Sequence, residues 1–296
     1  MKIKVKFIIS FLIIGVLALN INIKNVYGEN IQSLRVDARN AIAIDRESKT
    51  ILFEQNGYEL VPMASTTKIL TALITIERGN LDEKFVVSKN ASSVRGSTVG
   101  YKENEKITVR ELLYGLMYRS GNDAAITLAE GIGGSVEGFA EIMNNYKTSL
   151  GLLDSHFESP HGLDMTDHYS SAYDLALLTA KGMEYEEFRE IVGTKEISQS
   201  KYNFTRDYSN INKILWKIPG ANGVKTGYTG QAGKCLVSSI NYKGRDIIIV
   251  VLNCPDRWNV TEKIFNYIQE TVAFQGKNFK KFAYTIYNLP SDIVSW

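Results

Sequence analysis

The chain has 296 residues, of which 44% are hydrophobic and 22% carry a charge. These values are ordinary for a globular protein, and the length is ample for a sizeable core in one large domain or two modest ones. The formal net charge is +2, but the lysines of the first 28 residues have no acidic residue among them, so the remainder has a slight acidic excess. That balance argues against a nucleic-acid-binding protein.

The first 28 residues have the pattern of a signal peptide. Lysines at positions 2, 4 and 6 precede an apolar run over residues 7–19, and small residues favour cleavage after Gly28. The run is short for a membrane-spanning helix, and no later stretch is long and apolar enough to be one. We therefore expect an exported protein, secreted or acting in the cell wall or at the outer face of the membrane. Retention of the segment as an N-terminal membrane attachment is the alternative.

The hydrophobic pattern then predicts strands, a block of helices, further strands and a closing helix. The predicted strands are Asn40–Asp45, Thr50–Gln55, Phe85–Val87, Val224–Thr229, Cys235–Asn241 and Asp246–Asn253; the predicted helices run from Ser65 to Gly79, from Thr108 to about Ser120, over Ala124–Glu130, from Ser135 to Ser149, from Ser171, over Tyr185–Val192 and over Thr261–Phe274. This order predicts an α+β fold, an antiparallel sheet from both chain ends flanked by helices, with a mostly helical lobe inserted. Residues 29–275 form the predicted domain, and residues 276–296 form a tail.

Several turn and cap residues mark the boundaries of these elements. Thr108 and Glu111 have the capping-box spacing at a helix start. Either Asn122 or Asp123 is suited to cap the helix that follows Gly121. The glycine-rich segment 131–134 follows a helix rather than a strand, so we interpret it as a linker and not as a phosphate loop.

The histidines and cysteines give no metal site or disulfide. His156, His161 and His168 crowd one loop, but their spacing fits no helical ligand pair and no obvious ligand set accompanies them, so we favour hydrogen bonds that order the loop. Cys235 and Cys254 lie on two runs that resemble a hairpin, and mirroring them about the turn places Cys235 opposite Leu252. We therefore expect two separate buried thiols and no cofactor.

The segment from Pro62 to Lys68 carries the first chemical motif. Ser65 and Lys68 are three residues apart at the start of an apolar helix, so their side chains share one face. A serine is a weak nucleophile until a base takes its proton, and Lys68 can be that base if burial or a second cation lowers its pKa. The plainer reading is a capped core helix whose lysine points to water.

Two further motifs follow in the order that this chemistry requires. Ser120 and Asn122 lie in a tight turn between two helices, where both side chains are free to project. Lys225, Thr226 and Gly227 lie on a predicted strand, and the missing side chain of Gly227 lets a ligand approach the backbone. Alone, the first is ordinary turn chemistry and the second a solvated strand edge, but the three motifs together are specific.

With these motifs the chain resembles the penicillin-binding and serine β-lactamase superfamily. It looks most like the low-molecular-mass D-alanyl-D-alanine carboxypeptidases, over roughly residues 35–275. The resemblance extends to the segments around Ser65, 156–164, 170–174 and 223–229. It implies a serine carboxypeptidase of peptidoglycan synthesis that removes the terminal D-alanine from stem peptides ending in D-Ala-D-Ala. It also implies that β-lactam antibiotics acylate the enzyme.

The resemblance also implies a role for each site residue. Ser65 is the nucleophile, Lys68 its base, Ser120 a proton relay to the leaving amine, and Asn122 a holder of Lys68 and of the substrate backbone. On the opposite side of the cleft, Lys225 supplies the second positive charge, the Thr226 hydroxyl meets the terminal carboxylate, and the N–H groups of Ser65 and Tyr228, next to Gly227, form the oxyanion hole.

Arg257 is the candidate clamp for the substrate carboxylate, since a guanidinium grips a carboxylate with two hydrogen bonds. The competing interpretation is a surface arginine paired with Asp256. The chain stops at Trp296, before the C-terminal β-rich domain and amphipathic helix of the longer carboxypeptidases, so we do not expect attachment through a C-terminal helix.

Other activities of this superfamily stay open as alternatives. A DD-endopeptidase would cut crosslinks with the same machinery, and a penicillin-sensing module would be acylated without turnover. A β-lactamase is disfavoured, because the turn reads Ser-Gly-Asn and not the Ser-Asp-Asn of many β-lactamases.

Overall fold

The computed structural model describes residues 34–275 and 278–281, and a compact unit begins at Val36. Its strands are β1 Asn40–Asp45, β2 Ile51–Gln55, β3 Lys84–Val86, β4 Lys106–Thr108, β5 Glu196–Ile197, β6 Tyr208–Ser209, β7 Ala221–Thr229, β8 Gly233–Tyr242, β9 Arg245–Leu252, β10 Val272–Gln275 and β11 Asn278–Lys281. Its α-helices are α1 Lys68–Arg78, α2 Lys89–Ser92, α3 Val109–Tyr118, α4 Asn122–Gly133, α5 Val136–Ser149, α6 Ala172–Gly182, α7 Glu186–Gly193, α8 Gln199–Tyr202, α9 Ile214–Lys217 and α10 Arg257–Thr271.

A five-stranded antiparallel sheet, in the order β2-β1-β9-β8-β7, forms the centre of the fold. The predicted α+β class and the joining of both chain ends in one sheet are confirmed. All six residues of β1 are buried, because helices cover the sheet: α6 packs on β1 and β9, and α10 packs on β8 and β9. Strand β7, which carries the Lys-Thr-Gly motif, is an edge strand and therefore leaves one row of backbone groups open for a ligand.

The hairpin of β8 and β9 keeps the two cysteines apart, as predicted. Leu236 pairs with Val251, and the same register places Cys235 opposite Leu252. Both Cys235 and Cys254 are buried free thiols. The predicted hairpin of β1 and β2 is also present, and the buried side chains of Asp45 and Arg245 join β1 to β9 through two hydrogen bonds of 2.7 Å.

The helical lobe differs from the prediction at its element ends. Glu111 does not complete the capping box at Thr108: the Thr108 hydroxyl accepts the Glu111 N–H, but the buried Glu111 carboxylate instead accepts hydrogen bonds from Thr205 and Tyr208. No side chain caps α4, whose N-cap is Gly121. The prediction that residues 131–134 form a linker is wrong. Helix α4 continues to Gly133, and Gly134, with φ +74°, is its C-cap.

The closing helix starts earlier and ends sooner than predicted. It runs from Arg257 to Thr271, and residues 272–275 then form β10, which pairs with β11. The predicted signal peptide, residues 1–28, lies outside the described residues, as does most of the predicted tail. Within the described residues, none of the helices combines the length and the apolar character needed to cross a bilayer.

Candidate active site

Ser65 lies on a strained turn in front of a buried helix. Residues Ala64–Thr67 form a 3₁₀ helix and α1 begins only at Lys68, so the prediction of an α-helix starting at Ser65 is wrong in detail. In a 3₁₀ helix residues i and i+3 eclipse each other, which brings Ser65 and Lys68 together at least as closely as an α-helix would. Ala64 has φ +51°, a left-handed conformation that costs a non-glycine residue about 1–3 kcal/mol and is typical of functional sites.

Lys68 is completely buried and its amine has three oxygen neighbours. Nζ lies 2.8 Å from Ser65 Oγ, 2.8 Å from Asn122 Oδ1 and 2.7 Å from the His161 carbonyl oxygen. The amide and carbonyl oxygens only accept hydrogen bonds, whereas a hydroxyl can also donate. A neutral Lys68 therefore donates to those two oxygens and turns its lone pair to the Ser65 hydroxyl.

The surroundings of Lys68 favour this neutral form. Burial lowers the pKa of Lys68 well below its ordinary value, the charge of Lys225 lowers it further, and the carboxylate of Asp123 opposes the shift. Asp123 is itself buried and accepts backbone N–H groups of residues 99–101. The prediction that Lys68 meets Ser65 in the interior, rather than pointing to water, is thus confirmed by the geometry.

The loop from His161 to His168 packs against the turn Ala64–Thr67, which carries the predicted nucleophile Ser65 and is called the nucleophile turn below. His168 Nδ1 accepts the Glu158 N–H, so its proton lies on Nε2, 2.8 Å from Thr67 Oγ1, and that hydroxyl donates to the Ala64 carbonyl. Gly162, at φ +81°, comes so close that a Cβ there would lie 2.6 Å from Thr67 Oγ1 and overlap the Ala64 carbonyl. As expected from the sequence, histidines of this loop make hydrogen bonds that order it.

The turn between α3 and α4 is less open than predicted. Ser120 is buried, has φ +58° and accepts a 3.0 Å hydrogen bond from Lys225. Asn122 uses both ends of its amide inside the protein: Oδ1 accepts from Lys68, and Nδ2 donates to the Arg95 carbonyl at 2.6 Å. The two side chains are therefore not free to project, and the structure shows Asn122 as a holder of Lys68.

Lys225 is as buried as Lys68 but has a different set of partners. Its Nζ donates to Ser120 Oγ and to the Thr226 carbonyl, each at 3.0 Å. Burial, followed by the charge of Arg257, lowers the pKa of Lys225 to about 7. Two lysines with lowered pKa values thus lie in one site, one beside each serine, and such shifted groups cluster at functional sites.

The remainder of the Lys-Thr-Gly strand lies directly against the nucleophile turn. A Cβ at Gly227 would come within 3.1 Å of Met63 O and 3.2 Å of Ser65 N, which is tighter than side chains ordinarily pack, so glycine favours this approach. Lys234 pairs with Tyr228, and its carbonyl accepts the Cys254 N–H, on the side of β8 that faces β9. The backbone groups of Lys234 thus point away from β7, and this pair makes no hydrogen bond between β7 and β8. The Tyr228 N–H therefore points to the free edge of β7. The Tyr228 side chain is 68% exposed, and that of Thr226 is largely buried.

Arg257 does not pair with Asp256. Its guanidinium donates from NH1 to the backbone carbonyls of Gly227, at 2.7 Å, and Cys235, at 3.0 Å, and it stacks on the ring of Trp258 at 4.8 Å. The interpretation as a surface arginine paired with its neighbour is therefore wrong, and the predicted carboxylate clamp is engaged with backbone.

Sequence reasoning missed three groups of this site: the His161 carbonyl, the Asp123 carboxylate and the Arg95 carbonyl. Only Asp123 left a signal, as an acidic residue directly after the Ser-Gly-Asn turn. Among the described residues, no cluster of histidine, cysteine and carboxylate side chains could hold a metal ion.

Comparison with known proteins identifies the family to which this site is similar. A family model of D-alanyl-D-alanine carboxypeptidases matches residues 28–256. The D-alanyl-D-alanine carboxypeptidase DacF of Bacillus subtilis is 35% identical over 256 residues, which are 83% of this chain and 66% of that protein. The carboxypeptidase DacC of Escherichia coli is 34% identical over 81% of this chain and 63% of its own length. The chain thus spans just under two thirds of the length of these relatives.

Solved structures give the same result for the fold. The Streptomyces K15 DD-transpeptidase superposes with a TM-score of 0.76 at 31% identity, over 81% of this chain and 100% of that structure. The D-alanyl-D-alanine carboxypeptidase DacD of Francisella tularensis superposes with a TM-score of 0.71 at 25% identity, over 86% of this chain and 78% of that one.

Proposed function

This chain belongs to the D-alanyl-D-alanine carboxypeptidase family, and we propose that it is an exported serine carboxypeptidase acting on peptidoglycan stem peptides that end in D-Ala-D-Ala. The observation that supports it best is the contact of Ser65 Oγ with the buried Lys68 amine at 2.8 Å. A serine with a neutral amine at this distance is an activated nucleophile.

In the proposed acylation step, Lys68 takes the hydroxyl proton as Ser65 Oγ attacks the carbonyl carbon between the two D-alanines. The charge that develops on the carbonyl oxygen meets the N–H groups of Ser65 and Tyr228, from two segments in contact through Gly227. The bond to the terminal D-alanine then breaks, and its amine receives a proton through Ser120 and Lys225, which are 3.0 Å apart. An acyl-enzyme remains on Ser65.

The second half of the reaction returns Ser65 to its free form. Lys68 first passes on the proton that it took from Ser65, which restores Lys225 to its charged form. Water then attacks the ester carbon and gives a proton to Lys68, the C–O bond to Ser65 breaks, the Ser65 oxygen takes that proton back from Lys68, and the shortened peptide leaves. A β-lactam would acylate Ser65 in the same way and stay bound, since the one Glu-x-x-x-Asn pattern between Ser120 and Lys225, Glu141 to Asn145, lies on α5 with both side chains exposed. Export through residues 1–28 would place the enzyme outside the cytoplasm, where this substrate lies.

DD-transpeptidation is the second candidate activity. The solved structure from Streptomyces K15, a DD-transpeptidase, superposes over its whole length, and the curated relative from that strain carries the name D-alanyl-D-alanine carboxypeptidase. The two reactions share the acyl-enzyme and differ in whether water or an amine removes the acyl group. Incubation with a pentapeptide ending in D-Ala-D-Ala, with and without glycine as amine acceptor, separates them by the mass of the product.

The nucleophile assignment is tested with the exported protein and its Ser65→Ala variant. We expect the parent protein to release D-alanine from the pentapeptide and to gain the mass of one penicillin, while Ser65→Ala does neither. Ser149→Ala, which removes an exposed serine hydroxyl from the end of α5, is the control and should behave as the parent. Penicillin labelling that persists in Ser65→Ala would overturn the assignment, and labelling of the parent without release of D-alanine would identify a penicillin-sensing module.

A further inference from the structure

Arg257 contacts the carbonyl of the peptide bond that joins Gly227 to Tyr228. NH1 donates to the Gly227 carbonyl at 2.7 Å and to the Cys235 carbonyl at 3.0 Å, and these two residues face each other across β7 and β8. The first distance is in the range of charge-assisted hydrogen bonds. The Nε atom of Arg257 is buried without a partner among the described residues, so the guanidinium is held by these carbonyls and the Trp258 ring.

The carbonyl of Gly227 and the N–H of Tyr228 belong to the same peptide unit. A trans peptide is planar, and its C=O and N–H point in opposite directions. The Gly227–Tyr228 bond is trans. A cation bound to the carbonyl therefore adds to the pairing of β7 with β8 in fixing the direction of the N–H, which points to the free edge of the sheet.

The cation also changes the strength of that N–H as a donor. Hydrogen bonds in a chain polarise one another, so a guanidinium on the carbonyl oxygen draws electrons from the peptide and makes its N–H a better donor. The peptide lies against the nucleophile turn, since a Cβ at Gly227 would lie 3.2 Å from Ser65 N. The donor is thus held and polarised from the β8 side of the peptide, opposite the free edge of the sheet.

We propose that Arg257 is a positioning residue of the oxyanion hole, which it serves by holding and polarising the Gly227–Tyr228 peptide rather than by gripping the substrate carboxylate. The role rests on the proposed function, because it needs an acyl-transfer reaction at Ser65. Its effect on rate is independent of whether the substrate carries a carboxylate, which distinguishes it from a clamp. Arg257 also lies close enough to lower the pKa of Lys225, so its loss has a second readout in the pH profile.

The first test observes the peptide without any turnover. Labelling with ¹³C-carbonyl glycine and ¹⁵N-tyrosine selects the Gly–Tyr bonds, which occur at Gly57–Tyr58, Gly100–Tyr101 and Gly227–Tyr228. Arg257→Gln should shift the Gly227 carbonyl carbon and the Tyr228 amide, while the other two signals stay in place as internal controls. Signals for Gly227–Tyr228 that coincide with those of the parent protein would overturn the proposal, whatever the protein catalyses.

The second test measures acylation with two acyl-D-alanyl thioesters, one leaving as thioglycolate and the other as its uncharged amide. Loss of an oxyanion-hole donor costs about 10²–10³ in kcat, so loss of its support should cost about 10-fold to 100-fold. We expect Arg257→Gln to lower kcat for both thioesters by the same factor and to move the basic limb of the pH profile upward. Arg257→Lys, which keeps a cation, should recover part of the rate, and Arg78→Gln, which removes an exposed arginine, should behave as the parent.

The other outcomes of the second test each contradict the proposal. A rise in KM confined to the thioglycolate ester would make Arg257 a carboxylate clamp. Equal losses with an unmoved pH profile and a lowered unfolding midpoint would make it a structural support of β7, and unchanged kinetics would leave it without a role. Failure of the parent protein to cleave either thioester or to bind penicillin would contradict the proposed function instead, and the proposal with it, although the labelled peptide would still report the contact.

Discussion

Lys68 and Lys225 are equally buried, but the two sides of the site surround them differently. On the helix side, Lys68 has three oxygen neighbours, two of which only accept hydrogen bonds. On the strand side, Lys225 has two, a serine hydroxyl and a backbone carbonyl, and its charged neighbour is Arg257. Lys68 has Lys225 and Asp123 as charged neighbours of opposite sign.

This difference explains how two residues of the same type serve different roles in the proposed mechanism. The contacts of Lys68 orient its lone pair to Ser65, so it is suited to take the first proton. With its pKa lowered to about 7, Lys225 is partly charged at neutral pH, and burial together with that charge lowers the pKa of Lys68. Burial lowers the pKa of both lysines, and their charged neighbours then differ: Lys68 has a cation that lowers its pKa further and a carboxylate that opposes the shift, whereas the charged neighbour of Lys225 is the Arg257 cation.

The largest effect should come from Lys68→Met, which fills a similar volume without an amine. Loss of a general base lowers rates by about 10²–10⁴, and here the base also holds the nucleophile, so we expect the upper end of that range. The measurement is the second-order rate of covalent labelling by a fluorescent penicillin. Lys84→Met, which removes an exposed lysine from β3, should leave the rate unchanged. A loss under 10-fold in Lys68→Met would assign the base to another group.

Lys225→Met should lower the same rate by less, about 100-fold, and should also change its pH dependence. The charge of Lys225 lowers the pKa of Lys68, so its removal raises that pKa. Because Lys68 acts as a base only when neutral, the acidic limb of the pH–rate profile should move to higher pH. The profile of labelling rate against pH measures this, and an acidic limb that stays in place would disprove the coupling of the two lysines.

The side-chain pairs of this site could be predicted from the sequence because they follow from short spacings or from known motifs. Ser65 and Lys68 are three residues apart, and Ser135 and Ser171 cap α5 and α6 as their positions suggest. The antiparallel sheet followed from strands at both ends of the chain. These features depend on periodicity and on residue type, which a single sequence displays.

The features that could not be predicted are contacts of backbone groups brought together by the fold. Lys68 donates to the His161 carbonyl, Asn122 to the Arg95 carbonyl, and Arg257 to the Gly227 carbonyl. Every residue has a backbone carbonyl, so the residue type does not show which carbonyl will accept such a hydrogen bond. The left-handed conformation of Ala64 is another case, since only the packing against Gly162 and Gly227 shows why it is kept. Local propensity there yields to tertiary contacts.

A smaller effect should come from alanine substitutions at two glycines, one packed against the nucleophile turn and one in an open loop. Gly162 and Gly151 both have positive φ, but a Cβ at Gly162 overlaps the Ala64 carbonyl, whereas none of the surrounding atoms lies within 4 Å of a Cβ at Gly151. Gly151→Ala should lower the free energy of unfolding by about 1 kcal/mol, and Gly162→Ala by about 3 kcal/mol or more. Denaturant unfolding measures both, and equal losses would show that the nucleophile turn tolerates displacement of this loop.

The smallest effect should distinguish the two sides by the pH at which each affects stability. Burial, then the charges of His156 and Lys68, lower the pKa of His168 to about 4, so between about pH 6.5 and pH 4 the unfolded chain binds the extra proton and the folded protein loses stability as the pH falls. For Lys225 the folded pKa is about 7 and the ordinary value 10.5, so its share of stability rises with pH between those values.

Removing each titrating group should reduce the slope of unfolding free energy against pH in one of these two pH ranges only. His168→Gln should reduce the slope of unfolding free energy below pH 6.5 by up to about 1.4 kcal/mol per pH unit, and Lys225→Met should reduce the slope above pH 7. Arg78→Gln, at an exposed position, is the control for the first. Urea unfolding at several pH values supplies the slopes. If His168→Gln instead reduced the slope of unfolding free energy above pH 7, the titration of His168 would be coupled to that of the lysines. His168, Lys68 and Lys225 would then have to be treated as one set of interacting groups.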